Sequence, residues 1–261
     1  MDATSLSTLV NDIGPSKVTG FFLVLGRIAP LFVLAPLFSS TMVPPKVRTV
    51  VAVGLSIGLT PIAVHGQSIP TDPLSVAALL MEQMLVGLAF AVAVGAVFSA
   101  VEAAGTLTDL VAGFSFGSMI DPVDNSQSGP MTSLYGIVGL AMFIAIGGDA
   151  WMLRGLARTF TLVPLTKGVP IASLTSGVET AVASILVSAV EVAAPVLLAL
   201  LITDVAFGMV SRVVPQLNVF AVGFPLKIGV AILIVGAALP FLGGFMTDSI
   251  ANAVGNALHT L

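Results

Sequence analysis

Residues 74 to 104 read LSVAALLMEQMLVGLAFAVAVGAVFSAVEAA. The run holds two acids, Glu82 and Glu102, with no base and no proline, and its apolar residues follow one another without alternation. A strand would alternate with period two, and a membrane barrel would repeat short alternating segments, so a long unalternated run rich in Ala, Leu, Val and Gly reads as helix. It is long for a single span of about 20 residues.

Five further apolar regions flank it: 18–43, ended by the pair Pro44-Pro45, then 47–64, 134–148, 178–210 and 217–250. Polar turns and a basic-aromatic link, Trp151 to Pro170, separate them. Pro30, Pro36, Pro61, Pro195, Pro225 and Pro240 lie inside these regions, so kinked or broken helices are expected. The 261-residue chain is 57% hydrophobic and only 8% charged, against roughly a quarter charged in soluble proteins. Its mean hydropathy is +1.11. That is too little charge to cover a soluble globule, and a bilayer admits only helices and closed barrels. The fold class is therefore all-α, an integral membrane-complex protein treated as one domain over 1–261.

The N-terminus opens with an acid and carries no basic cluster or A-x-A-like site, so the first apolar run is expected to remain in the mature protein. The absence of cysteine excludes disulfides, thiolate metal sites and cysteine nucleophiles. A net charge of −4, scattered along the chain, indicates no nucleic-acid partner. Alternating the six regions across a membrane puts Lys46, Arg48 and Arg212 on one side and Lys17, Arg154, Arg158 and Lys167 on the other. This balance is too even to orient the chain. Arg27, Glu82, Glu191, Asp204 and Lys227 fall within apolar regions and must meet partners or water. Asp204, Gly208 and Arg212, spaced by four, share one helix face that a neighbouring helix could approach closely at the glycine.

The pentapeptide Gly113-Phe114-Ser115-Phe116-Gly117 matches the G-x-S-x-G pattern of a serine hydrolase. Its context does not fit, because Glu102 to Ala112 reads as a helix or its frayed end rather than a strand, and residues 118–130 hold two prolines and several turn formers. Asp121, Asp124 and Asn125 lack the spacing of a calcium loop, and no phosphate-binding glycine loop occurs. No metal or other cofactor is expected. An intramembrane hydrolase at Ser115 and a secondary transporter with Glu82 and Lys227 at its site remain as alternatives.

Three stretches together resemble the FliR family of the flagellar export apparatus and its counterparts in virulence type III secretion. They are Arg27-Ile-Ala-Pro30 with Pro36-Leu-Phe38 and Val43-Pro-Pro-Lys46-Val-Arg48; Glu82 with Gly87, leading to Ala104-Gly105 and Asp121-Pro122; and Val214-Pro-Gln-Leu-Asn218-Val-Phe220 with Gly223-Phe-Pro225-Leu-Lys227. The resemblance implies a non-enzymatic subunit of the export gate in the bacterial inner membrane, at the flagellar basal body. Helical hairpins would be raised partly out of the bilayer. FliP-like, FliQ-like and FlhB-like subunits, membrane lipid and unfolded export substrates would be its partners, and energy would come from the proton-motive force and a separate ATPase.

It also implies a pore loop over about 105–133, whose stretch 112–130 plugs the channel. There Gly113, Phe114, Phe116, Gly117, Met119, Ile120, Asp121 and Pro122 are the expected plug residues. The apolar groups would seal, the glycines would let the backbone yield, and Asp121-Pro122 would turn the chain. Arg27, Glu82, Asp204, Arg212, Pro215, Gln216, Asn218, Phe220 and Lys227 are expected at subunit contacts or as buried charges. The same residues read without the resemblance give a surface loop whose Phe side chains tuck onto neighbouring helices, and a capped helix break at 215–227.

Overall fold

The computed structural model describes residues 14–35, 43–114, 129–168, 170–214, 216 and 218–259. Among them the chain forms only helices: α1 Pro15–Leu34, α2 Pro45–Val64, α3 Pro73–Ala112, α4 Pro130–Ala145, α5 Gly148–Leu162, α6 Ile171–Val213, α7 Val219–Ala237 and α8 Leu239–His259. Four of them, α1, α2, α3 and α6, are long and apolar enough to cross a membrane. The pairs α4–α5 and α7–α8 meet the same test together but are bent by 70° and 55°. At 1.5 Å per residue, the 40 residues of α3 and 43 of α6 reach about 60 Å, roughly twice the hydrocarbon thickness of a bilayer.

The boundaries differ from the sequence reading in instructive ways. Helix α1 stops at Leu34 rather than Val43, because Ala35 precedes a proline and is extended (φ −69°, ψ 123°). The pair Pro44-Pro45 opens α2: Pro45 is its first helical residue, where the missing N–H has no partner to lose. Helix α3 begins at the cap Asp72, whose carboxylate accepts the Ser75 backbone N–H at 2.9 Å.

It then runs past Ala104 to Ala112, and α4 starts at Pro130, so the loop expected over 105–133 is narrower than that. The reason is that Ala104, Thr108 and Ala112 continue one buried face. The Thr108 hydroxyl donates back to the Ala104 carbonyl at 2.9 Å and so is satisfied within the helix.

Two other differences concern the second half. Most of the link 151–170 is the amphipathic helix α5, with Met152, Leu156, Thr159 and Phe160 buried on one face and Arg154 and Arg158 exposed on the other. The region 217–250 is two helices. Pro240 stands in the first turn of α8, where it has no N–H to extend the ladder of α7. Helices α1, α2, α6 and α7 continue through Pro30, Pro61, Pro195 and Pro225.

The chain forms two compact units, one from residues 1–95, 149–182 and 251–261, the other from 96–148 and 183–250. The first is centred on Leu23, Val24, Ile28 and Leu31 of α1, Phe90 of α3 and Leu156 of α5, all buried. In the second, Phe98 and Phe143 meet edge to face at 5.0 Å, and Ala193, Val196 and Leu200 of α6 are also buried.

Candidate functional site

Two polar joints stand out in these apolar units. In the first, Arg27 of α1 is wholly buried. Its Nε donates to Gln83 Oε1 of α3 at 2.7 Å, and Nη2 donates to the same oxygen. Nη1 donates to the carbonyls of Thr159 and Val163, each at 2.9 Å. The guanidinium lies 4.5 Å from the ring centroid of Phe160. Those carbonyls sit at the C-terminus of α5, where helix carbonyls lack intrahelical donors and the dipole is negative, so a cation is favourable there. Gln83 completes the joint by donating to the Leu165 carbonyl at 3.1 Å.

The second joint has the opposite sign. Asp109, buried in the last turn of α3, accepts the N–H of Met131 at Oδ1 and that of Thr132 at Oδ2, both at 2.9 Å. It also accepts the Thr132 hydroxyl at 2.7 Å. These are donors of the first turn of α4, which has no side-chain cap of its own, so Asp109 caps it from a neighbouring helix. Its main-chain carbonyl accepts the N–H of Gly113 and of Phe114, at 3.1 and 3.0 Å. Gly113 closes α3 with φ 92°, a left-handed position that suits glycine. A side chain at Gly129 would collide with the Asp109 carboxylate, and one at Gly105 would meet the backbone of Met131 and Thr132.

Of the expected site residues, Arg27 is thus a buried charge with partners. Lys227 and Asp204 form an ion pair between α7 and α6, with side chains 21% and 46% exposed. Arg212 is exposed near the end of α6. Among the described residues nothing lies within 4 Å of a β carbon built on Gly208, so no described helix of this chain approaches it. Glu82 is half-buried, and its Oε2 is buried with no hydrogen-bond partner among the described residues.

Asn218 caps α7, accepting the Ala221 N–H at 3.2 Å, and Gln216 beside it is exposed. The cap shows how α7 begins, at the start of the 218–227 stretch. Gly113 and Phe114 lie at the end of α3, and the Phe114 ring packs edge to face on Phe224 of α7, 5.9 Å between centroids. Ser115, Phe116, Gly117, Met119, Ile120, Asp121, Pro122 and Pro215 lie outside the described residues, as does the side chain of Phe220.

Sequence reasoning missed Gln83, Thr159 and Asp109. For Asp109 a signal was present: an acid in the last turn of a helix opposes that helix's own dipole and calls for a positive partner.

An all-α integral membrane protein whose span-capable helices are joined by buried polar contacts is the class these features define. Within that class, residues 18–253 match the family described as bacterial export proteins, family 1, and the chain belongs to it. It is similar to the flagellar biosynthetic protein FliR of Pectobacterium carotovorum subsp. carotovorum, at 29% identity over 87% of each chain. It matches that of Bacillus subtilis (strain 168) at 30% identity over 82% of this chain and 83% of the relative. The surface presentation of antigens protein SpaR of Salmonella typhimurium is 26% identical over 86% of this chain and 83% of its own.

Proposed function

We propose that this chain is a structural, non-enzymatic subunit of a type III protein export gate, one export-gate domain in the bacterial inner membrane at the flagellar basal body. The observation that carries the reading is the family match over nearly the whole chain. Several relatives bear the name flagellar biosynthetic protein, which favours the flagellar branch and unfolded flagellar subunits as cargo.

FliP-like and FliQ-like chains are its neighbours, with an FlhB-like chain near the entrance and lipid around part of the assembly. Helices α2 and α6 bury only 17% and 28% of their most apolar stretch, against 61% for α3. Their outward residues, such as Ile57, Leu186, Leu198 and Val205, therefore need cover from such neighbours or from lipid. Arg212, Gln216, Asn218 and the Asp204–Lys227 pair supply the polar part of the contact, and Pro215 and Phe220 its apolar part.

The stretch 112–130 serves as the plug. Its support is the combination of Phe114, Phe116, Met119 and Ile120 with glycines and turn formers in one connection.

Purification of the tagged chain in mild detergent tests the assembly: FliP-like and FliQ-like chains co-elute, and recovery of a lone, well-behaved protein or homodimer overturns the proposal. Deletion of Gly113 to Asn125 leaves assembly intact and makes the membrane leak ions or small solutes. An unchanged leak in a correctly assembled complex removes the plug. Ser115→Ala leaves export unchanged, and loss of activity in that variant alone would revive the hydrolase.

A further inference from the structure

We infer that Asp109 is the positioning residue of the connection between α3 and α4, fixing with one side chain and one carbonyl both where the connection leaves the fold and where it returns. On the departing side its carbonyl holds the N–H groups of Gly113 and Phe114. On the returning side its carboxylate holds Met131 and Thr132. Its functional consequence rests on the plug reading given above.

Three observations converge on Asp109. The carboxylate is buried, 4% exposed, and its three donors come from a different helix, so it does not serve the local structure of α3. In the last turn of α3 it faces the negative end of its own dipole, a placement favourable only because the positive end of α4 is brought to it. The seam is also built around it. Gly129 leaves no room for a side chain against the carboxylate, Gly105 admits the α4 backbone, and Thr106 and Thr132 share a hydroxyl contact at 3.2 Å. A carboxylate carrying three hydrogen bonds ties two helix ends more firmly than a local cap, which would satisfy the same donors without holding α3.

The absence of native cysteine allows spin labels at Leu110 and Ser133, both exposed, in the full chain as purified with its partner subunits. In the parent the distance between labels is narrowly distributed. In Asp109→Ala it broadens, and the Met131 and Thr132 amides exchange about tenfold faster, the effect of orphaning buried donors. Asp109→Asn, isosteric and safer for folding, gives an intermediate result, because its amide nitrogen opposes the Thr132 N–H.

The double variant Asp109→Ala/Gly129→Asp gives α4 its own cap without the tie to α3. Amide protection then returns while the label distance stays broad. Unchanged distance and exchange in both single variants overturn the inference, as does full recovery of both in the double variant. A solute leak of several-fold in the single variants links the joint to the plug. A broadened distance with no leak upholds the joint and removes the plug reading instead.

Discussion

The α carbon of Gly87 lies so near the main chain of Arg27 that a β carbon built on it would fall on the Arg27 carbonyl oxygen. Helices α1 and α3 therefore cross with their backbones almost touching, the kind of approach that small residues permit where lipid offers no hydrophobic drive. Gly87→Ala forces the helices apart and costs about 1–3 kcal/mol, the usual penalty of overpacking. A lowered Tm of the purified complex checks this, and an unaltered Tm refutes the crossing.

Arg27→Lys is not a conservative change. One ammonium cannot reproduce the fork that meets Gln83 and two carbonyls together, so the end of α5 loosens. Arg27→Met goes further, orphaning buried acceptors at about 1–3 kcal/mol each. Trp151, the single tryptophan, stands on α5 and reports both variants by its fluorescence during thermal unfolding. The order of Tm is parent, then Lys, then Met.

Asp72 gives the start of α3 a pH dependence. The Ser75 hydroxyl and backbone N–H hold its carboxyl below the usual carboxylate range. A depressed folded value means that the cap contributes above the unfolded value near pH ~4 and is lost as pH falls through the folded one. The Ser75 amide is accordingly protected from exchange at neutral pH and loses protection in acid. Asp72→Asn removes the acid-dependent step in that protection, and its persistence in the variant would rule the carboxylate out as the cause.

The Lys227–Asp204 pair joins α7 to α6. Lys227→Asp places like charges together and lowers the yield of assembled complex. Asp204→Lys does the same. The exchanged double variant restores most of the yield if the pair acts as a pair, and fails to do so if each residue instead contacts a different neighbour.

The architecture was largely legible because bilayer chemistry leaves few choices: uninterrupted apolar runs such as 74–104 are helices. Helix α5 escaped because it was sought as an apolar run. Its buried residues are spaced by three or four, with Arg154 and Arg158 between them, and so its composition resembles a link. The Pro44-Pro45 pair reads as a stop in the sequence, yet Pro45 is the first residue of α2, because a proline is tolerated in the first turn where its missing N–H has no helical partner. Arg27 was legible as a costly charge, but Gln83 and Thr159 were not, because they are ordinary residues made important by contacts across 56 and 132 positions of sequence. Asp109 differs in carrying a local signal, an acid against its own helix dipole, but its donors lie 22 and 23 residues away and could not be named from it.

The Arg27 joint has a property that follows from what it lacks. Its acceptors among the described residues are two main-chain carbonyls, a carboxamide and a weakly held hydroxyl, none of which gains or loses a proton at cellular pH. A cation held by a carboxylate can be released by acid; one held by neutral dipoles cannot. Acidification on either side of the membrane therefore takes away none of the acceptors by which Arg27 fastens α1 to α3 and to the end of α5.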